Sequence, residues 1–386
     1  MSVSTLKTRI TCLLGTAMMF GAGSAGAAYE FNLQEPATAL ASDIYDLHML
    51  IFWICVVIAV VVFGAMFYSM YAHRKSRGAV PADFHENTKL EFLWTIVPFL
   101  ILVAVAVPAT KTLLEIEDTS AYDLTVKITG MQWKWKYEYV DDNDDAENVQ
   151  FIASLDPAHN EARKMNSGKD VTQIDHYLLA TDNELVLPVN KRVRFLLTSD
   201  DVIHAWWVPQ FGVKKDAIPG YVNEMWTEIP EPGVYRGQCA ELCGKDHAFM
   251  PIVVRAVSED DYNQWLAQKQ TEAAERAAEA ESDKVWSQDE LMARGEQVYQ
   301  STCAACHGPG GEGVGPFPAL KGSAIATGPA PAHLDVVING VPGTAMAAFG
   351  KQLNDLQIAA VVTYERNALG NETGDVVQPA DVKAAR

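Results

Sequence analysis

The chain has 386 residues, a length that accommodates two or three domains. Its formal net charge is −19, which argues against a nucleic-acid-binding protein, because such proteins need basic surfaces. Hydrophobic residues make up 49% of the sequence and concentrate in two long apolar runs within the first third. The composition therefore indicates a membrane segment followed by soluble domains.

The N-terminus has the three parts of a secretory signal peptide, which we place at residues 1–27. Lys7 and Arg9 supply the positive charge, a short apolar stretch follows, and Ala25-Gly26-Ala27 offers a small-residue cleavage site. We expect the mature chain to start near Ala28. An uncleaved anchor is the alternative, but the apolar stretch is short for a membrane span.

Two apolar runs, at about 47–72 and 91–113, predict transmembrane helices within a segment that covers residues 28–115. As a helix, the uncharged residues 49–72 of the first run would span ~36 Å, more than the ~30 Å of a hydrocarbon core. The loop between the runs is basic, with Arg74 and Lys75 among its residues, and the positive-inside rule makes it cytoplasmic. The signal peptide and the loop charge therefore agree that the chain after the second helix lies outside.

Residues 120–258 show short alternating runs, such as Leu124–Ile128, broken by Pro, Gly, Asn and Asp. This pattern predicts an all-β Greek-key sandwich or barrel. An acidic stretch, Asp141–Glu147, is expected to be a solvated loop.

Residues 259–288 change character and are rich in Ala and Glu without an apolar stripe. They predict a helical, semi-rigid linker to the last domain. After that domain, residues 372–386 are polar and are expected to form a flexible tail.

Soft ligands concentrate in one segment of the β region, which contains Cys239, Cys243, His247 and Met250. Thiolate and imidazole favour copper, zinc or iron–sulfur over magnesium or calcium, and a methionine favours an electron-transfer copper over zinc. His204, 35 positions before Cys239, is a further candidate ligand. The alternative is a disulfide between the two cysteines, which would leave His204 and Met250 unexplained.

The last domain, residues 289–371, is predicted to be all-α and contains Cys303-Ala304-Ala305-Cys306-His307. C-x-x-C-H is the signature of covalent c-type haem attachment, with the histidine as proximal ligand. A thioredoxin-like or zinc motif is the alternative, but neither a βαβ pattern nor a second cysteine pair supports it. Met346 is our choice of second axial ligand, which would raise the reduction potential, and His333 is its main rival.

Together these motifs resemble subunit II of the haem–copper cytochrome c oxidases, with a C-terminal cytochrome c domain fused to it. The resemblance implies a two-helix transmembrane hairpin, an all-β cupredoxin Greek-key domain and an all-α class I cytochrome c domain. It implies that Cys239 and Cys243 bridge a dinuclear copper centre, CuA. The other copper ligands would be two imidazoles, a thioether and a backbone carbonyl, from His204, His247, Met250 and Glu241 respectively.

The resemblance also gives three residues a further role. Trp133 would be the point where electrons enter, with ordinary strand packing as the alternative; the neighbouring Lys134 replaces an aromatic residue of many relatives, as expected for a tethered donor. The Glu241 carboxylate would bind Mg²⁺ or Mn²⁺ shared with subunit I, with a solvated loop residue as the alternative. Glu91 would form the mouth of a proton path into subunit I, although charges at helix ends are common.

The implied function is that of the electron-input subunit of a terminal respiratory oxidase. Electrons would pass from covalent haem c to CuA and on to subunit I, where O₂ is reduced to water with proton translocation. The implied partners are subunit I, subunit III and a c-type cytochrome or other small electron donor. The expected location is a bacterial-type inner (plasma) membrane, crossed more than once, with the copper and haem domains on the periplasmic (outer) face.

Two other functions stay open. An electron-input subunit of a CuA-containing nitric oxide reductase would use the same cofactors, although Glu91 and Glu241 favour the oxidase. A membrane-anchored copper or electron carrier should release its copper, whereas thiolate-bridged dinuclear copper would be held tightly. Co-purification with a large membrane subunit would distinguish a subunit of an enzyme complex from a stand-alone carrier.

Overall fold

The structure is a computed structural model that describes residues 32–80, 83, 85–140, 149–281, 284–350 and 352–386. The predicted signal peptide and the acidic stretch lie outside the described residues.

Two long helices, α1 (Ala39–Ala72) and α2 (Thr88–Glu117), precede the β region. Side-chain oxygens of Thr38 and Asn87 accept hydrogen bonds from the first turns and so begin the helices. Both helices are long and apolar enough to cross a membrane, and none of their most apolar stretch is buried within the chain. Each extends beyond its predicted bounds by several residues.

The β region folds into two five-stranded sheets, which confirms the predicted sandwich. One sheet has the order β3-β2-β1-β5-β8 and the other β4-β10-β9-β6-β7. The strands in chain order are β1 (Leu124–Met131), β2 (Lys134–Val140), β3 (Gln150–Ala153), β4 (Leu185–Pro188), β5 (Arg192–Ser199), β6 (His204–Val208), β7 (Val213–Ala217), β8 (Asn223–Glu228), β9 (Gly233–Cys239) and β10 (Pro251–Val257).

The core of the sandwich is aromatic. Every second side chain of β5 is buried, as the two-residue period of a half-buried strand requires. Trp135, Tyr137, Phe195 and Trp206 are at most 1% exposed, and the rings of Phe195 and Trp206 lie 5.2 Å apart. Burial of each such ring stabilises the domain by roughly 2–3 kcal/mol, so the sheets form a rigid support for the loops at their edge.

The segment between β3 and β4 contains a short helix, α3 (Pro157–Ala162), and β10 leads into a long one, α4 (Glu259–Glu281). The structure corrects the expected start of the linker. Trp265 of α4 lies 5.2 Å from Tyr139 of the sandwich, centroid to centroid, and Tyr262 is 7% exposed. The first turns of α4 therefore belong to the β-domain core.

The C-terminal domain is helical, as predicted. Its helices are α5 (Gln288–Val298), α6 (Ala304–His307), α7 (Ala330–Asn339), α8 (Asp355–Asn367) and α9 (Pro379–Ala385). Ser287 and Glu290 form a capping box that begins α5. Helix α5 crosses α8 at Gly295, where an added Cβ would lie 2.1 Å from the Ala360 carbonyl oxygen.

The expected flexible tail is wrong in this structure. Val377 is 3% exposed and Val382 of α9 is fully buried in the helical core. Asp375 also forms an ion pair with Arg366 of α8. Burial of the two valines stabilises the segment by more than the conformational entropy that is lost when it is ordered. The polar composition of the segment gave no sign of this contribution.

Both long helices are tied to the β-domain at one end. The Thr38 hydroxyl before α1 donates to the Phe211 carbonyl at 2.9 Å. At the end of α2, the Trp226 indole N–H donates to the Glu115 carbonyl at 3.0 Å, and Lys215 pairs with Glu117 at 3.0 Å. The β-domain therefore has two separate attachments to the helical hairpin.

Candidate copper centre and haem cavity

The soft ligands meet at one edge of the second sheet. His204 begins β6 and Cys239 ends β9, its neighbour in the sheet. The loop that follows Cys239 returns to the same point, because the Cys239 N–H donates to the Met250 carbonyl at 3.0 Å. Strand pairing thus brings together a histidine and a cysteine that are 35 residues apart.

The donor atoms are close enough to share a metal site. The sulfurs of Cys239 and Cys243 are 3.8 Å apart. Nδ1 of His204 lies 3.9 Å from the Cys239 sulfur, and Nδ1 of His247 lies 3.6 Å from the Cys243 sulfur. The Glu241 carbonyl oxygen is 3.4 Å from the Cys239 sulfur. Each cysteine therefore has its own imidazole, arranged around a central pair of sulfurs.

The electrostatics of the two thiols favour a bound cation. The hydrogen bond from Cys243 lowers the pKa of Cys239, whereas the same contact and burial raise the pKa of Cys243. Two adjacent thiols thus ionise together only when a positive charge compensates the second thiolate. Sulfur and imidazole in a water-poor site suit copper, so the residues fit a copper centre.

The helical domain encloses a cavity of about 780 Å³ with mostly apolar walls. Cys303, Cys306, His307 and Met346 all line it. Nδ1 of His307 lies 2.8 Å from the Pro318 carbonyl oxygen, an arrangement in which Nδ1–H donates and Nε2 keeps its lone pair for a metal. The cavity therefore fits a covalently attached haem.

Family models match both the β-domain and the two long helices. The family models described as "Cytochrome C oxidase subunit II, periplasmic domain" and "Cytochrome C oxidase subunit II, transmembrane domain" match residues 124–257 and 26–112. A probable cytochrome c oxidase subunit 2 of Rickettsia bellii is 38% identical over 64% of this chain and 86% of its own length. The chain belongs to the cytochrome c oxidase subunit II family.

Other similar proteins cover the same region of the chain, and a third family model covers the C-terminal domain. Cytochrome c oxidase subunit 2 of Cereibacter sphaeroides is 40% identical over 61% of this chain and 79% of its own length. The solved periplasmic domain of subunit II of cytochrome oxidase of Bradyrhizobium japonicum is 41% identical, with 39% of this chain and 96% of that chain covered at a TM-score of 0.33. The model described as "Cytochrome C oxidase, cbb3-type, subunit III" matches residues 290–364. This subunit II therefore carries a cytochrome c domain at its C-terminal end, and its family implies CuA and haem c.

Asp201 orients one predicted copper ligand of this subunit II, and the sequence analysis missed it. The Nε2–H of His204 donates to Asp201 Oδ1 at 2.9 Å, so Nδ1 faces Cys239. The other Asp201 oxygen accepts the Gln132 backbone N–H at 2.7 Å. Burial lowers the pKa of His204, but the bonds to Asp201 and Cys239 outweigh it and leave the pKa raised. The only sequence signal was a carboxylate three residues before a candidate ligand.

We expect Asp201→Asn to weaken copper binding by about 10–100-fold, because an amide holds the imidazole less firmly than a carboxylate does. Competition with a copper chelator measures this affinity. Asp200→Asn is the matched control, since Asp200 carries the same charge next to Asp201 without a bond to His204. Equal affinities for the two variants would contradict the assignment.

A second residue missed by the sequence analysis holds the loop of this subunit II between its ligands. Arg163, next to α3, binds both carboxylate oxygens of Asp246 at 3.2 Å and stacks its guanidinium 4.0 Å from the Phe249 ring centroid. Asp246 is 5% exposed and directly precedes His247. The bidentate contact therefore fixes the backbone that presents His247.

The other four predicted site residues lie in three places. Trp133 and Glu241 are both near the predicted copper ligands: the Trp133 indole N–H donates to the Cys243 carbonyl at 3.1 Å, and the Glu241 side chain is exposed on the segment between Cys239 and Cys243. Glu91 is exposed in the first turn of α2, and the structure does not bring it to those ligands. His333, the rival axial ligand, has its Nε2 2.8 Å from Glu365.

Proposed function

We propose that this chain is the electron-input subunit of a terminal respiratory oxidase, which passes electrons from haem c to CuA and on to subunit I. The observation that carries the proposal is the convergence of two thiols and two imidazoles at one sheet edge, in a chain that also has a haem cavity with C-x-x-C-H in its wall. O₂ reduction to water and proton translocation would belong to subunit I.

In this proposal each site has a definite set of residues. Cys303 and Cys306 would hold haem c covalently, and His307 Nε2 and the Met346 thioether would bind its iron. Copper would be held by the Cys239 and Cys243 thiolates, the His204 and His247 imidazoles, the Met250 thioether and the Glu241 carbonyl. Both cofactors supply one-electron redox chemistry when bound. The strands and Arg163 hold the copper ligands in place, so that little rearrangement accompanies a change of charge.

Contact between the two sites supports electron transfer within the chain. Lys245 lies between Cys243 and His247, and its ammonium donates to the Ala305 carbonyl at 2.9 Å. Ala305 itself lies between the two haem cysteines. Lys134 is 6% exposed, burial lowers its pKa, and the same two cysteines are among its neighbours. The loop between β9 and β10, residues 240–250, is thus adjacent to helix α6.

Lys245→Ala should slow electron transfer from haem c to copper by about tenfold, because the charge-assisted bond to Ala305 contributes roughly 1.5–3 kcal/mol to docking of the two domains. Flash photoreduction of the haem, followed by absorbance of both cofactors in the full chain, measures the rate. Lys214→Ala removes the same charge from an exposed position of β7 and serves as the control. An unchanged rate in Lys245→Ala, with copper fully loaded, would contradict a role in docking.

Three further roles complete the proposal. Trp133 passes electrons to copper, supported by its bond to the Cys243 carbonyl. The exposed Glu241 carboxylate binds Mg²⁺ or Mn²⁺ together with subunit I, and Glu91 opens a proton path into that subunit. The likeness to subunit II further suggests contact with subunit III and reduction by a c-type cytochrome or other small donor.

The location follows from the two apolar helices. We infer that α1 and α2 both cross a bacterial-type inner membrane, with the basic turn between them in the cytoplasm. The copper and haem domains then face the periplasm, after removal of a signal peptide that ends near residue 27.

Copper and haem analysis of the detergent-solubilised full chain tests the proposal. We expect two coppers per covalent haem, an electron paramagnetic resonance signal from one spin shared over both coppers, and co-purification with a large membrane subunit. Haem without copper, or one localised copper, would overturn the dinuclear site. Loaded protein without a membrane partner would favour a carrier.

A further inference from the structure

A buried carboxylate–imidazole pair lies in the wall of the haem cavity. His333 of α7 and Glu365 of α8 both line the cavity, and His333 Nε2 is 2.8 Å from Glu365 Oε2. Each side chain is 3% exposed. None of the roles proposed above uses this pair.

The position of Glu365 is unusual for a carboxylate. Its neighbours along α8 include Ile358, Val361 and Val362, which are fully buried in the apolar core. An isolated buried charge destabilises a fold strongly unless a partner compensates it. Within the described part of the chain His333 offers Glu365 one hydrogen bond, and its own Nδ1 is buried without a partner.

Glu365 lies in the same cavity wall as the residues that would attach the haem. Cys303, Cys306 and Glu365 all line the cavity. The neighbouring Arg366 does not neutralise the charge of Glu365, because its guanidinium binds the Ala326 carbonyl and Asp375 instead. Lys134, which approaches the haem cysteines from the β-domain, is the positive side chain that opposes Glu365 at this end of the cavity.

We propose that Glu365, held in place by His333, lowers the reduction potential of haem c by placing a negative charge against it. This inference rests on the proposed haem site. Oxidised haem carries one more positive charge than reduced haem, and in a cavity of low dielectric a nearby carboxylate stabilises the oxidised form. The Met346 thioether raises the potential, so Glu365 offsets it and keeps haem c able to reduce copper. His333 is the positioning residue, because its N–H fixes the carboxylate.

A redox titration of haem c in the full chain, followed by haem absorbance, tests the proposal. Glu365→Gln removes the charge but keeps the shape and the contact with His333. We expect its equilibrium constant for haem reduction to rise at least tenfold, which corresponds to a rise in the reduction potential of ~59 mV for a one-electron couple. Glu372→Gln removes the same charge at an exposed site of the same domain and should change the constant less than twofold, because water screens it.

A second variant allows the same measurement if Glu365→Gln does not fold. In Glu365→Leu/His333→Leu, apolar groups replace both partners, a change that leaves no buried polar atom unpaired. Its constant should rise at least tenfold as well. A constant within twofold of the unchanged chain, in either variant with covalent haem, overturns the proposal. A lack of covalent haem in the unchanged chain would instead contradict the proposed function.

Discussion

A Cys243→Ser variant should lose both coppers while it keeps its covalent haem. Serine offers a hard, protonated oxygen in place of the proposed thiolate ligand, and the remaining cysteine supplies only one of the two sulfurs between the imidazoles. Loss of a residue that only holds a metal ligand in place lowers metal affinity or activity about 10–100-fold. Loss of a ligand itself removes the copper, so electron transfer to subunit I should fall by more than about 100-fold. Copper analysis and O₂ consumption by the assembled oxidase measure both effects.

Cys55→Ser provides the matched control for this change. Cys55 is an exposed cysteine of α1, remote in sequence from every predicted ligand. Its replacement should leave copper content and O₂ consumption unchanged. Copper retained by Cys243→Ser at the level of Cys55→Ser would mean that the sulfur pair does not bind the metal.

Gly295→Ala should prevent stable folding of the cytochrome domain. A Cβ at this position would lie 2.1 Å from the Ala360 carbonyl oxygen and 2.6 Å from Tyr364 Cβ, closer than atoms can approach. The α5–α8 crossing would have to open, and such overpacking destabilises a core by roughly 3 kcal/mol or more. Thermal unfolding of the full chain, followed by haem absorbance, measures the loss, and the yield of covalent haem should fall with it.

The neighbouring Glu296→Ala introduces the same residue at an exposed position of the same helix. Because alanine has a high helix propensity, this variant should unfold within about 0.5 kcal/mol of the unchanged chain. Equal unfolding temperatures for the two variants would show that the crossing tolerates a side chain at Gly295.

The cluster of sulfur and imidazole side chains could be predicted because most of its members are close in sequence. Cys239, Cys243, His247 and Met250 lie within twelve positions, and their sulfur and nitrogen atoms favour soft metals over magnesium or calcium. Arg163 could not be predicted, because its contact with Asp246 spans 83 residues and depends on the path of the α3 segment. The same holds for Glu365, whose partner His333 is 32 residues away. Pattern and spacing report local chemistry, whereas these pairs depend on tertiary packing.

The domain boundaries show a related limit. Periodicity predicted the sandwich, since alternation along β5 is visible in sequence. It did not show that Tyr262 and Trp265 of α4 complete the sandwich core, because two aromatic residues in a polar helix make no stripe. The buried valines of the C-terminal segment escaped notice for the same reason. A few large side chains can fix a segment that composition alone suggests is loose.

The two attachments of the β-domain to the long helices constrain its motion. A body joined to a membrane at one point can pivot, whereas two separated points leave a single hinge axis. Phe211 meets the start of α1, and Trp226 with Lys215 meets the end of α2. In the proposed membrane arrangement, tilting of either helix within a thinner or thicker bilayer would therefore turn the predicted copper ligands with it. The height and orientation of these ligands above the lipid would then depend on the two helices as well as on the connecting segments.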